Sequence, residues 1–137
     1  MGIASTLERS ERAVANTSVK SYRDLVAWQQ ARRLVASIYE ISAHFPDDER
    51  FGLTSQIRRC AVSVPSNIAE GYGRGASADY LRFLRIARGS LFEIETQLIL
   101  ACDLEYISES DLTGLNEIIT ETARPLSGLI RSIENHN

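Results

Sequence analysis

Four successive stretches of this chain place apolar residues three and four positions apart, turn after turn. That spacing lines side chains along one stripe of an α-helix, whereas a half-buried strand needs alternation by two. Ala27, Ala31, Leu34, Ile38, Ile41 and Phe45 make the first stripe, within about residues 22–45, and Trp28, Val35 and Tyr39 run beside it. Leu53, Ile57, Cys60, Val64 and Ile68 make the second, within about 49–72. Tyr80, Leu84, Ala87, Leu91, Ile94, Leu98 and Ala101 make the third, within about 78–104, and Leu112, Leu115, Ile119, Leu126, Leu129 and Ile133 the fourth. A helix must bury its apolar stripe against another element. Four such helices joined by short turns predict an all-α fold, an antiparallel up-and-down four-helix bundle over residues 21–137.

Turn chemistry marks the boundaries. Residues 1–20 are small, polar and charged, and read as a flexible N-terminal arm. Ser21 or Asp24 can cap the first helix, and Pro46 ends it, because the residue before a proline avoids helical backbone. Pro65 interrupts the second helix and predicts a kink there, since it removes a backbone hydrogen bond and clashes with the carbonyl of residue 61. Asn67 and Glu70 are placed to bond backbone groups so freed. The glycines at 71, 73 and 75 supply the stop, and Ser77 a cap for the third helix. Ser108 with Asp111 forms a near capping box for the fourth, in which Pro125 and Gly128 predict a bend or break.

The third helix is apolar on more than one face. Leu81, Phe92 and Ile99 lie about 100° from its main stripe, and Phe83, Ile86 and Leu100 flank the other side. A small bundle buries only one stripe per helix, so this helix calls for a neighbour outside its own chain, and the protein is expected to be homo-oligomeric. No stretch reaches the roughly 20 apolar residues of a membrane span, and no signal-peptide core opens the chain. Cys60 and Cys102 lie in apolar runs without metal or redox spacing, so they read as reduced thiols of a cytoplasmic protein.

The net charge of −3 hides a segregation. Residues 50–89 carry seven arginines against Glu70 and Asp79, a local net of +5, whereas residues 90–137 net −7. Arg82, Arg85 and Arg88 advance by three along one side of the third helix, and Arg74 lies in the preceding loop. Guanidinium groups grip phosphate bidentately and keep their charge, so Arg74, Arg82, Arg85 and Arg88 are the candidate nucleic-acid-binding set. The competing reading pairs these arginines with Glu70, Asp79, Glu93 and Glu95. That structural or interface reading is preferred for Arg58 and Arg59, together with Asn67, Glu70 and Glu93. Trp28, Tyr39, Phe83 and Phe92 sit at core or flank spacing, where burial accounts for them better than base stacking.

Chemistry is absent from the pattern. His44 and His136 follow Ile41 and Ile133 by three, so no Glu-x-x-His di-iron pair exists, nor any zinc pattern, and no metal or other cofactor is expected. Glu70, Glu93 and Glu95 lack a partner base, and Glu93 and Glu95 point to different sides. The glycine run follows a helix and lacks Gly-Lys-Ser/Thr, so it is not a phosphate loop. No catalytic residue or small-molecule substrate is evident, and no enzyme is expected.

Several strings nonetheless occur together: Asp24 to Gln29 (DLVAWQ), Phe51 to Arg59 (FGLTSQIRR), Val62 to Gly71 (VSVPSNIAEG), Arg82 to Leu91 (RFLRIARGSL) and Glu93 to Leu98 (EIETQL). In that order they resemble the bacterial four-helix bundle family first recognised as reading frames inside intervening sequences of the large-subunit (23S) ribosomal RNA, over roughly residues 22–133. The resemblance implies a small cytosolic bundle that forms a ring-like homopentamer, with a largely unassigned role. A distant relative, the accessory protein of diversity-generating retroelements, is similar and binds nucleic acid and a reverse transcriptase. The expected function is therefore a noncatalytic, self-assembling interaction scaffold whose partner is RNA or a nucleic-acid-processing protein. The alternative is a protein–protein adaptor with purely structural arginines.

Overall fold

In the computed structural model, which describes residues 19–136, the four periodic segments are four helices. A 3-10 turn at Tyr22–Asp24 leads into α1 (Val26–Ser42), and a second at Asp47–Glu49 into α2 (Leu53–Tyr72). Two longer helices follow, α3 (Ser77–Asp103) and α4 (Glu109–Asn135). Each packs on its neighbours in sequence, and α4 closes on α1, so the four surround one core. This is the expected up-and-down bundle. No strand occurs among the described residues, and no helix there is long and apolar enough to cross a membrane. The arm assigned to residues 1–20 lies outside the described residues except for Val19 and Lys20.

The core is aliphatic. Leu34, Ile38, Ile57, Val64, Ile68, Leu84, Ile94, Leu98 and Leu126 are wholly buried. In the first stripe Ser42, not Ile41, takes the buried place. Its position on the last turn of α1 lets its hydroxyl meet Arg58 of α2 at 2.8 Å, which satisfies a polar group under cover.

Several local expectations are corrected. Ser21 caps the first 3-10 turn, accepting from the Arg23 amide, and Asp24 accepts from the Lys20 amide, so neither caps α1 itself. Helix α2 begins at Leu53 rather than near Glu49, whose carboxylate instead accepts from the Leu53 amide. Ser77 is the first residue of α3, and the cap position is Ala76, with no side-chain bond. The capping box at Ser108 and Asp111 forms with both its hydrogen bonds. No break forms at Pro125 or Gly128, since α4 runs through both, and α2 runs as one helix through Pro65, as a kink within a continuous helix allows. Tertiary packing on both neighbours holds each helix together across the missing bond.

The α3–α4 turn was not foreseen. Glu105 adopts left-handed backbone, φ 64°, while the Tyr106 amide bonds the Ala101 carbonyl and the Glu105 amide the Cys102 carbonyl. This is a Schellman closure built on glutamate where glycine is usual. Tyr106 anchors it: its hydroxyl donates to Glu49 at 2.7 Å and its ring packs on Phe45.

Candidate functional site

The α2–α3 hairpin positions the candidate arginines. Gly71 is buried on α2, and a Cβ there would lie 2.8 Å from Phe83 Cβ and 3.2 Å from the Tyr80 carbonyl oxygen. Glycine thus permits a close crossing that sets the end of α2 against the start of α3. Beside it Tyr72 and Tyr80 meet edge to face, ring centres 6.1 Å apart. Burial, then the neighbouring Tyr72, push the Tyr80 hydroxyl well above the usual phenol range. Gly75 makes the turn, with φ 80°.

From this frame Arg74 and Arg82 both reach the ring of Phe83, at 5.0 and 4.4 Å from its centre. Arg74 pairs with Glu70 at 2.7 Å, and Arg82 approaches Asp79 at 4.0 Å. Arg85 crosses to α4 and pairs with Glu134 at 2.6 Å. Arg88 is half-buried and meets no carboxylate among the described residues. Three of the four candidates are therefore in ion pairs, all of them with roughly half of each side chain exposed. Pairs that exposed contribute little and exchange readily.

The residues assigned structural roles separate from this group. Arg58 meets no acid among the described residues: its Nε donates to Ser42 Oγ, its Nη2 to the Tyr39 carbonyl at 3.3 Å, and its guanidinium lies over the Tyr39 ring at 4.6 Å. It thereby ties α2 to the carbonyl end of α1. Arg59 donates to Ser55 Oγ. The Asn67 amide donates to the Ser63 carbonyl at 2.7 Å, not to the Ala61 carbonyl that Pro65 leaves free, and Glu70 is engaged by Arg74.

Glu93 likewise meets no arginine among the described residues. It lies 3.6 Å from the Cys60 sulfur, which also points at the Ser90 carbonyl, while Ser63 and Ser90 bridge α2 and α3 through their hydroxyls at 2.7 Å. Burial, then the Glu93 charge, push the Cys60 thiol up to about 12, which keeps it protonated and unreactive. Glu49 is held below the ordinary carboxylate range by the Tyr106 hydroxyl. Among the described residues no group of three or more His, Cys, Asp and Glu side chains gathers as a metal-ligand set.

The outward side of α3 divides the apolar surplus read from the sequence. Leu81 is buried within the chain and Phe83 half-buried beneath its arginines, but Ile86, Phe92, Ile99 and Leu100 are exposed, Phe92 by 62%. Gly89 lies between them in mid-helix with open space around it.

A further grouping was missed in the sequence. Tyr22 and Trp28 meet edge to face at 5.3 Å, with Arg23 against the tyrosine and Arg32 against the tryptophan. They line a shallow groove with Gln29, continuing between α1 and α2 over Val35, Val62, Pro65 and Ala69. Trp28 is thus half-buried at the bundle's flank rather than in its core. Only its i,i+4 spacing to Arg32 signalled this.

The fold has a known counterpart. A solved structure from Bacteroides thetaiotaomicron, described as a protein of unknown function from the S23 ribosomal protein family, is similar to 77% of this chain over 98% of its own length. The TM-score is 0.71 and the identity 25%. No curated protein matches the chain. The family model of the 23S rRNA-intervening sequence protein matches residues 23–128. A match over most of the chain, on a fold that agrees with it, shows that the chain belongs to the 23S rRNA-intervening sequence protein family.

Proposed function

We propose that this protein is a noncatalytic scaffold that assembles with copies of itself along the outward face of α3 and presents its arginines to RNA or to a nucleic-acid-processing protein. The exposure of Ile86, Phe92, Ile99 and Leu100 along one helix carries this reading. A run of apolar side chains on a helix whose other face is already buried lowers its free energy by meeting a partner. Gly89 amid them costs helix stability, and a Cβ there would meet nothing within 4 Å among the described residues, which suits close approach by a second helix. In a homo-oligomer, a homopentamer by the family resemblance, each arginine set is repeated, and weak phosphate contacts add by avidity.

The pairing of Arg74, Arg82 and Arg85 with Glu70, Asp79 and Glu134 favours a second reading, a protein–protein adaptor with structural arginines. Light scattering and RNA titration at several salt concentrations separate the two. The scaffold reading expects an oligomer that Phe92→Asp with Ile99→Asp reduces to a helical monomer. It also expects RNA affinity that falls steeply with salt and is lost in Arg82→Ala with Arg85→Ala while the oligomer persists. A wild-type monomer refutes the assembly, and absence of RNA binding at low salt leaves the adaptor reading.

A further inference from the structure

The antiparallel topology gathers charge in a way the linear sequence conceals. The start of α1, the end of α2, the start of α3 and the end of α4 meet at one end of the bundle. The Tyr72–Tyr80 and Arg85–Glu134 contacts and the packing of Trp28 near Pro65 and Ala69 mark that end. The Tyr106–Glu49 and Tyr106–Phe45 contacts mark the other. The Arg33–Glu121 pair spans the middle. Apart from that pair, the half formed by residues 19–33, 63–89 and 123–136 carries nine Lys and Arg against four Asp and Glu. The half formed by residues 34–62 and 90–122 carries three against eleven. One half is thus net +5 and the other net −8, within a chain whose overall charge is only −3.

The basic half is also under-neutralised. Lys20, Arg23, Arg32, Arg88, Arg124 and Arg131 meet no carboxylate within ion-pair distance among the described residues, and all but Arg88 are exposed. These cations come from α1, α3 and α4 and the segment before α1, well beyond the arginines of the α2–α3 hairpin. Within the same half the Tyr22–Trp28 pair lies in its surface groove with Arg23 and Arg32 against the rings. Guanidinium planes and half-exposed aromatic rings at a cationic surface are the elements that bind a single-stranded polynucleotide, phosphates on the cations and unpaired bases on the rings. A duplex hides its base faces, and an acidic protein has no need of them.

We propose that the whole basic end of the bundle, built by all four helices and including Arg23, Arg32 and Arg131, is a docking surface for single-stranded RNA. This rests on the reading that the partner is nucleic acid, and it replaces a stripe along α3 with an end-on footprint. The acidic half repels the strand and confines it to that end. In a ring whose axis runs parallel to the bundle, every basic end faces the same side, so one strand meets several copies.

The test is fluorescence anisotropy of the full chain with a short labelled single-stranded RNA between about 50 and 200 mM salt. Arg23→Ala with Arg131→Ala removes two exposed cations that touch no acid among the described residues and lie outside the hairpin. The expected result is an affinity loss of about tenfold or more and a salt slope shallower by about one to two. Arg50→Ala with Arg59→Ala, two exposed cations of the acidic half, is expected to change affinity less than about twofold on the same footing. Wild-type binding by Arg23→Ala/Arg131→Ala, while Arg82→Ala/Arg85→Ala loses the RNA, overturns the end-on footprint and leaves the scaffold reading standing. Equal losses from the two halves also overturn it. No binding by the wild-type chain at the lowest salt removes both proposals.

Discussion

Replacing Gly71 by alanine adds one methyl group where α2 crosses α3. The new Cβ would lie 2.8 Å from Phe83 Cβ, 3.1 Å from Tyr80 Cδ1 and 3.2 Å from the Tyr80 carbonyl oxygen. Carbon atoms in contact prefer about 3.5–4.0 Å. The Phe83 atom is a Cβ and the carbonyl is backbone, so no rotamer change relieves the clash and the two helices must separate. Overpacking of that kind costs about 1–3 kcal/mol. Alanine returns about 0.5–1 kcal/mol through its better helix propensity. The balance is a destabilisation of about 1–2 kcal/mol and a fall in Tm of about 4–8 °C for a domain of this size. Urea unfolding followed by far-UV circular dichroism, at one fixed protein concentration, reads it directly. Gly114→Ala is the control: nothing lies within 4 Å of its Cβ position on α4, so the same substitution should stabilise by about 0.5–1 kcal/mol. A Gly71→Ala midpoint at or above wild type would refute the close-crossing argument.

Other substitutions probe the ties around this frame. Arg58→Met should destabilise by about 1–2 kcal/mol in the same assay, because the Tyr39 carbonyl and Ser42 hydroxyl lose their guanidinium donor. Arg58→Lys should recover only part of that, lacking the planar fork. Glu105→Gly should raise stability by about 1 kcal/mol by relieving a left-handed glutamate, and an unchanged midpoint would contradict the strain assigned to it. Cys60 should resist thiol reagents until the chain unfolds, whereas labelling of the native protein at the unfolded rate would show that it is not buried. Because folding raises this thiol to about 12, its contribution to stability is complete below the unfolded thiol range near 9 and fades as pH rises toward 12. Cys60→Ala should flatten that part of the pH–stability curve.

Much of the architecture was legible in residue order. The three-and-four spacing of the four stripes fixes helices and their inward faces, because only side chains one turn apart share a surface. Ser108 with Asp111 could be read as a capping box because a cap depends on residues within one turn. Local signals misled where packing outweighs them. Pro125 and Gly128 predicted a bend or a local break, and the break does not form because α4 is held on both sides by α1 and α3. Arg58 was expected to pair with an acid within or between subunits, and within the chain its hydrogen bonds go to acceptors on a different helix, sixteen and nineteen residues earlier.

What the sequence determined by itself is the helical class, the core stripes and the family, since all three are carried by spacing and by runs of neighbouring residues. The candidate surface was decided only by tertiary structure. Charge along the chain divided at residue 90, with its basic stretch confined to the hairpin of α2 and α3. Folding antiparallel helices side by side redistributes those charges along the bundle axis. Arg23 and Arg131, more than a hundred residues apart in sequence, then share one end with Arg74, while Asp47 and Asp111 share the other. Electrostatic potential depends on distance in space, so no reading along the chain could have found that end.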